Sequence, residues 1–275
     1  ELGSLVKVEV GGQEFTARSN GESWTLNLTK ADIAAIGDGP ARDVIVMVTD
    51  KAGNVSASEH YPLAIDTVAP VISLSPNKIA TDNVINQYEA EHSQVVFSGV
   101  VEDGVASVTA SIGSATFTQV SQTPVVVSGN TWTLTLDKTQ LQAALGGALT
   151  GQITTQFIAT DSAGNSTTTS PRAFLVDLEP PVSPVYTITG ISNTDRKILA
   201  QETSLDGGIT LAGSTQSATD SVSVKLFNSF FSPVVTGTNW TLSLSNDQLA
   251  GLQGRGIDVS VTVTDVAGNA NTHTE

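Results

Sequence analysis

One strand-like stretch occurs three times in this chain at a constant spacing. Its copies carry the only three tryptophans, Trp24, Trp132 and Trp240, which lie 108 residues apart and each begin the pattern W-T-L-x-L. A period of about 100 residues is the size of one small domain, and apolar residues at every second position are typical of a strand with one buried face. The sequence therefore predicts a tandem array of small β domains, with each tryptophan in a core.

A second repeated stretch follows a valine-rich strand in each repeat. It is T-D-K-A-G-N at 49–54, T-D-S-A-G-N at 160–165 and T-D-V-A-G-N at 264–269. The first two copies are followed by the proline-containing stretches D-T-V-A-P at 66–70 and D-L-E-P-P at 177–181. Proline removes the backbone donors that a sheet needs, so these stretches are predicted to be linkers.

The linkers predict three domains, over residues 1–66, 67–176 and 177–275. The segment from Val71 to Asp103 has no counterpart before Leu5, so the first domain is expected to be N-terminally incomplete, with an unprotected sheet edge. The third domain, which stops at T-H-T-E, is expected to lack the end of its last strand.

The predicted fold class is all-β: tandem immunoglobulin-like β-sandwich domains in a linear array. About seven short alternating stretches per ~100 residues, separated by Gly, Asn and Asp, match the strand count of such a sandwich. The stretches K-A-D-I-A-A-I at 30–36, K-T-Q-L-Q-A-A-L at 138–145 and N-D-Q-L-A-G-L at 246–252 are each predicted to form a helical turn between two strands. The acidic stretch at 81–92 is expected to be an exposed loop.

Composition and motifs exclude several function classes. The formal net charge is −15, from 12 Lys and Arg against 27 Asp and Glu, which disfavours nucleic acid as a partner. Cysteine is absent, so neither disulfides nor thiolate metal sites are available. No run of 18 apolar residues occurs, and no insertion into a membrane is expected. The three histidines occupy different repeat positions without a nucleophile partner, so the segment is predicted not to be an enzyme.

The T-D-x-A-G-N stretches, the D-T-V-A-P and D-L-E-P-P linkers and the W-T-L-x-L strands together resemble the bacterial Ig-like repeats of giant surface adhesins. These adhesins are exported by type I secretion in Gram-negative bacteria. The resemblance covers the whole chain. It implies an extracellular or cell-surface stalk that folds after secretion, packs against neighbouring repeats, contributes to virulence by binding a host glycan or protein through the whole adhesin, and binds calcium near its domain junctions.

In an Ig-like sandwich, the loop after the sixth strand, the loop between the second and third strands and the incoming linker lie at one pole of the domain. Acidic residues in these places would repel one another and raise one another's pKa values, unless a cation lies between them. Calcium accepts six to eight oxygen ligands in irregular geometry, which suits such a cluster better than magnesium does. The predicted calcium ligands are Asp50, Asp66, Glu102, Asp103, Asp161, Asp177, Glu179, Asp220 and Asp265.

The alternative for each aspartate is an ordinary turn former, because Asp and Asn side chains bond their own backbone and Gly accepts positive φ. Asn54, Asn165 and Asn269 are expected to shape these turns.

Two functional classes stay open. One is a structural spacer, and the other is an adhesive module that itself binds a host glycan or protein. The adjacent Phe230 and Phe231 form the one irregular candidate for an adhesive patch, with core and edge packing as the alternative.

Overall fold

The computed structural model describes residues 3–77, 79–80, 82–190, 208–250 and 258–274. These residues divide into two compact units. One unit comprises Glu1–Ile72, Val101–Val108 and Ile158–Thr168, and the other comprises Ser73–Val100, Thr109–Phe157 and Thr169–Glu275. Across the described ranges, no helix has the length and apolar character needed to cross a bilayer.

Residues 5–65 form a single antiparallel sheet with one short helix. Its elements are β1 (Leu5–Val10), β2 (Gln13–Ser19), β3 (Trp24–Thr25), α1 (Lys30–Ile36), β4 (Gly39–Thr49) and β5 (Glu59–Ile65). The strand order is β3-β2-β1-β4-β5. Val6, Val8 and Val10 alternate with less buried residues along β1, so this strand buries one face.

Residues 72–177 form two facing sheets. Their elements are β6 (Ile72–Leu74), β7 (Val84–Asn86), α2 (Gln87–His92), β8 (Val95–Val101), β9 (Ser107–Ile112), β10 (Ala115–Phe117), β11 (Val126–Ser128), β12 (Thr131–Leu136), α3 (Lys138–Ala144), β13 (Thr150–Thr160), β14 (Ser166–Thr168) and β15 (Arg172–Asp177). One sheet has the order β10-β9-β13-β15-β7, with β14 paired to β13, and the other has the order β11-β12-β8-β6. The ring of Trp132 in β12 lies 4.2 Å from the ring of Phe157 in β13, so the core joins the two sheets.

The described residues from 186 to 274 form a second pair of sheets. Their elements are β16 (Tyr186–Thr189), β17 (Ile209–Ser214), β18 (Ser221–Leu226), β19 (Ser229–Phe231), β20 (Val234–Thr236), β21 (Asn239–Leu244), α4 (Asn246–Ala250), β22 (Val259–Thr264) and β23 (Ala270–Thr274). The sheet orders are β16-β17-β21-β20 and β19-β18-β22-β23. Trp240 and Leu211 from one sheet share a buried cluster with Val224 and Val261 from the other. The prediction of all-β sandwiches is confirmed.

The three predicted helical turns are present as α1, α3 and α4; residues 251–252 of the third stretch lie outside the described residues. Capping boxes begin α1 and α3. The side chains of Thr29 and Asp137 accept the backbone N–H groups of Asp32 and Gln140, whose side chains in turn accept the backbone N–H groups of Thr29 and Asp137. The expectation of an exposed loop at 81–92 is wrong. Residues 84–86 are strand β7, which runs parallel to β15, and Asn86 caps α2 through its own capping box.

The expectation that all three tryptophans are core residues holds for two of them. Trp132 and Trp240 are 0% and 1% exposed, whereas Trp24 is 42% exposed. The cause lies in strand pairing. β12 and β21 each lie between two strands of a sheet, β12 next to β8 and β21 next to β17, while β3 has two residues and stands at the end of its sheet's strand order. In the part of the chain that the structure describes, β3 pairs with β2 alone, so Trp24 lacks the second neighbouring strand that β8 provides for Trp132.

Candidate functional site

The three T-D-x-A-G-N turns share one hydrogen-bond pattern. In each turn, Oδ1 of the aspartate accepts the backbone N–H of the asparagine four residues later, and Oδ2 accepts that asparagine's side-chain amide. The turn glycine has a φ of 91° at Gly53, 95° at Gly164 and 90° at Gly268, which a residue with a Cβ adopts only with strain. The alternative of a turn former is thus supported for Asp50, which accepts three bonds within its own turn.

These bonds stabilise the ionised carboxylates. The side-chain amide of Asn54, followed by its backbone N–H, lowers the pKa of Asp50 below its ordinary value. The side-chain amide of Asn165 does the same for the pKa of Asp161. Both aspartates are therefore anionic at neutral pH. Both carboxylate oxygens of each already accept hydrogen bonds within the turn.

The second and third turns also reach a linker. Asn165 Nδ2 donates to the backbone oxygen of Asp66 over 3.1 Å. Asn269 Nδ2 donates to the backbone oxygen of Asp177 over 3.1 Å and to that of Glu179 over 3.4 Å. The prediction that these asparagines shape the turn is correct but incomplete, because they also hold the chain that enters the repeat.

Both linkers begin with the same local turn. Oδ1 of Asp66 accepts the N–H of Val68 over 3.2 Å, and Oδ1 of Asp177 accepts the N–H of Glu179 over 3.1 Å. This is the bond that an aspartate makes to its own backbone two residues on.

The residue after each linker aspartate is bonded to the preceding repeat. The N–H and Oγ1 of Thr67 donate to Oδ1 of Asp38, over 3.0 and 2.9 Å. The N–H of Leu178 donates to the backbone oxygen of Leu149 over 2.8 Å. The linkers are thus hydrogen-bonded on both sides.

Glu102 acts on the linker in a way that the sequence did not indicate. Its Oε2 accepts the N–H of Val71 over 3.0 Å, and its N–H donates to the oxygen of Val71 over 2.9 Å. Glu102 lies five residues before the start of β9, and Gln216 lies five residues before the start of β18. Gln216 Oε1 accepts the N–H of Val182 over 3.4 Å. A neutral side chain occupies the same position in the next repeat, so the bond does not depend on charge. Glu102 and Gln216 have the same spacing in sequence from the strand that follows each, and this shared spacing could have identified Gln216.

Four of the predicted ligands lie around one cavity at the second linker. The cavity has a volume of about 210 Å³, and its acidic lining residues are Asp177, Glu179, Asp220 and Asp265. Burial, followed by repulsion from Asp265 and Glu179, raises the pKa of Asp177 above its ordinary value. Asp220 is 6% exposed, and its Oδ2 accepts the N–H of Ser217 over 2.9 Å. The structure thus places these four acidic residues around one cavity, with partly buried negative charge there.

At the first linker, the predicted ligands Asp66 and Asp161 both accept a hydrogen bond from Asn165 Nδ2, over 3.5 and 2.9 Å. Of Asp66, Glu102, Asp103 and Asp161, Asp66 lines the groove beside this linker, together with Asp38, which the sequence analysis did not identify. Asp103 is exposed in the loop after β8. The groove therefore presents two of the chain's acidic side chains.

The donor chemistry at the second linker fits a hard, oxygen-seeking cation such as calcium. Within the described ranges, no group of three or more His, Asp or Glu side chains converges closely enough to hold a metal ion as the side chains stand. Calcium binding at the second linker would therefore require carboxylates around the cavity to turn inwards. The residues that would supply oxygens are Asp177, Glu179, Asp220 and Asp265.

A bacterial Ig-like domain family matches residues 64–178. Together with the paired sheets, this match confirms the prediction of tandem all-β Ig-like domains. No curated protein matches the chain at a significant level.

The solved structures that match this chain include two adhesins. A Ca²⁺-stabilised adhesin with which an Antarctic bacterium binds ice is 23% identical over 100% of this chain, with a TM-score of 0.40, and the chain spans 64% of its length. A 1.5-MDa bacterial ice-binding adhesin is 22% identical over 98% of this chain and 83% of its own, also with a TM-score of 0.40. Fibronectin(III)-like modules of Clostridium thermocellum CbhA are 13% identical over 74% of this chain and 91% of their own, with a TM-score of 0.35.

Proposed function

We propose that this chain is a repetitive extracellular stalk segment of a giant bacterial surface adhesin. Calcium binds at the junctions between its domains and stiffens the stalk, which presents a distal adhesive region to a host glycan or protein. The domains are residues 1–66, 67–176 and 177–275. Among such adhesins, the repeats resemble those of the giant non-fimbrial adhesin of Salmonella, and export by type I secretion and a role in virulence belong to the same proposal. No catalytic role is assigned to the segment.

The observation that carries this proposal is the acidic cavity at the second linker. Four acidic residues line a cavity of about 210 Å³, and burial, followed by repulsion from Asp265 and Glu179, raises the pKa of Asp177. A cation would remove this repulsion and would bind the linker residues Asp177 and Glu179 together with Asp220 and Asp265 from the following repeat. Calcium bound there would restrict the linker more than it stabilises either sandwich core, because the cores around Trp132 and Trp240 are built from apolar side chains, which offer calcium no ligands.

The test is small-angle X-ray scattering of the whole chain in calcium and in chelator. Calcium should give a narrower distribution of interatomic distances with a larger maximum dimension, while circular dichroism shows little change in β content. Asp177→Asn should reduce the response to calcium, because it removes one charged ligand but keeps the oxygen that accepts from Glu179. Asp247→Asn, at an exposed position of α4, is the matched control and should respond as the parent chain does. A scattering profile that does not depend on calcium would contradict the proposal.

The alternative is an adhesive module, and one surface favours it. Phe230 in β19 is 72% exposed, and Lys225 Nζ lies 5.6 Å from its ring centroid, whereas Phe231 packs against the core. An exposed ring beside a cation can stack on a host glycan or a protein side chain. Phe230→Ala should abolish any binding of this segment to a glycan array or to host cells. Binding that Phe230→Ala leaves unchanged would remove this alternative.

A further inference from the structure

Asn269 is buried and bonds to three separate parts of the chain. It is 2% exposed, and its Nδ2 lies within 3.4 Å of backbone oxygens of the second linker, as described above. Its Oδ1 accepts the backbone N–H of Gln87 over 2.6 Å. Gln87 is the first residue of α2 and lies 182 residues earlier in the sequence. One amide thus joins its own turn, the linker that enters its repeat, and the helix of the repeat before it.

Two neighbouring side-chain amides add hydrogen bonds, one between the start of α2 and the turn and one between the following repeat and the second linker. Asn86 Nδ2 donates to the backbone oxygen of Ala267 over 3.1 Å. Asn271 Nδ2 donates to the backbone oxygen of Pro181 over 3.0 Å. All these groups are neutral, so neither a metal ion nor an ionised side chain is needed for the bonds beyond the turn.

We propose that Asn269, with Asn86 and Asn271, forms a latch that closes the second linker without metal. The docking surface is the start of α2, and its partner is the T-D-V-A-G-N turn of the following repeat. This goes beyond the calcium proposal, because the latch holds in chelator. It also makes the two linkers unequal in stiffness.

The other two turns show that the latch is not an automatic result of the turn. Asn54 makes the same bonds to Asp50 and is exposed. Asn165 is half-buried, and its bonds outside the turn go to Asp66 alone. Burial therefore increases from Asn54 through Asn165 to Asn269, in step with the bonds made outside the turn. The first linker follows a repeat in which the described residues contain no counterpart of α2.

Removing the Asn269 amide takes one hydrogen-bond partner from the backbone groups that it contacts in α2 and the second linker. If the linker stays closed in Asn269→Ala, the N–H of Gln87 and the backbone oxygen of Asp177 each lose their hydrogen bond to this buried side chain. Opening the linker lets water bond to them. An unmade bond to a buried group is costly, so the ratio of closed to open linker should fall about tenfold.

The test measures distances between two spin labels in the whole chain, in chelator, by double electron–electron resonance. The chain has no cysteine, so two introduced cysteines are labelled uniquely. Val126 and Val234 are exposed, lie at equivalent repeat positions and report on the second linker. Arg18 and Val126 are the equivalent pair for the first linker, since Arg18 is also exposed. The parent chain should give a narrower distribution for the second pair than for the first.

Asn269→Ala should broaden the distribution for the second pair and leave the first pair unchanged. Asn54→Ala is the matched control, because it disturbs the same kind of turn, and it should change neither distribution. Asn86→Ser is a second variant, which tests the latch even if Asn269→Ala unfolds the repeat that contains it. Serine keeps the cap of α2 but cannot reach Ala267, so a smaller broadening is expected.

Unchanged second-pair distributions in both variants, with the β signal intact, would overturn the latch. So would equal widths for the two pairs in the parent chain. The calcium proposal is judged separately, by whether calcium narrows the distributions of the parent chain. Either proposal can therefore fail while the other stands.

Discussion

Asn54, Asn165 and Asn269 occupy the same position in three copies of one turn and differ in what surrounds them. Each binds the aspartate four residues earlier, which is a local bond that needs no other part of the fold. Asn165 and Asn269 additionally bond to a linker, and Asn269 is 2% exposed. The value of such a residue for stability depends on the buried groups it satisfies, and its sequence context does not reveal them.

Asp177 provides a test of the charge at the second linker. Its pKa is raised, first by burial and then by repulsion from Asp265 and Glu179. The folded chain therefore binds this proton more tightly than the unfolded chain does. The stabilising contribution of protonated Asp177 is complete below the ordinary pKa of 3.8 and is lost as the pH rises through the raised, folded-state pKa. In chelator at pH 7, Asp177→Asn should therefore raise the free energy of unfolding, and the difference should vanish below pH 3.8.

Asp161→Asn is the control of opposite sign for this experiment. The Asn165 amide lowers the pKa of Asp161, so its ionised form stabilises the fold above pH 3.8, and that contribution is lost as the pH falls through the lowered pKa. Asp161→Asn should lower the free energy of unfolding at pH 7. Denaturant titrations at pH 7 and pH 3.5 measure both. A decrease for Asp177→Asn at pH 7 would contradict the account of its pKa.

Trp24 provides a test of the exposed face in the first sheet. It is 42% exposed, against 0% and 1% for Trp132 and Trp240. Acrylamide should therefore quench one part of the tryptophan fluorescence readily, and Trp24→Phe should remove that part. The fluorescence left in Trp24→Phe should be shifted to shorter wavelength and quenched weakly. If Trp24→Phe leaves the quenchable part unchanged, the indole of Trp24 is covered in solution.

At the scale of elements, each buried tryptophan depends on a glycine in the neighbouring strand. Gly99 in β8 is opposite Trp132, and Gly213 in β17 is opposite Trp240. A Cβ at Gly99 would lie 1.9 Å from the backbone oxygen of Ser73 and 2.7 Å from Trp132 Nε1. The Trp132 Nε1–H donates to that same oxygen over 3.1 Å, so the strands β6, β8 and β12 are packed around one indole.

Gly99→Ala should lower the free energy of unfolding of its sandwich by about 2 kcal/mol, because the backbone of β6 and the indole must both move. Ser98→Ala, next to it on β8 and half-buried, is the control and should change the free energy by no more than about 0.5 kcal/mol. Denaturant unfolding followed by tryptophan fluorescence measures both variants. Equal effects of the two substitutions would show that β6 does not pack on Trp132 in this way.

At the scale of the whole molecule, the chain combines small sandwich cores with a formal net charge of −15. Like charges repel, and at the second linker four of them surround one cavity. Calcium would act on this repulsion, whereas the sandwich cores depend on apolar burial around Trp132 and Trp240. Linker stiffness and domain stability should therefore respond differently to calcium.

Calcium should raise thermal stability only modestly. At a free concentration tenfold above a dissociation constant in the 10⁻⁴ to 10⁻³ M range of extracellular modules, binding adds about 1.4 kcal/mol per independent site. Circular dichroism melts in calcium and in chelator should both start from the same β signal, with a higher midpoint in calcium. Loss of the β signal in chelator at 25 °C would mean that calcium folds the domains, and the division between linker and core would be wrong.

The sequence by itself predicted the repeat period, the all-β class, the aspartate–asparagine turns and three of the four helices found among the described residues. Strand alternation, helix caps and turns are decided by residues within a few positions of one another, so they can be recognised in a linear pattern. The contacts of Asn269 with Gln87, 182 residues away, and with Asp177, 92 residues away, follow from the folded arrangement and have no signal in the sequence. The folded arrangement also decided that Trp24 is exposed while Trp132 and Trp240 are buried. These outcomes depend on which distant strand or helix returns to the same place, and three copies of one local pattern can meet three different surroundings.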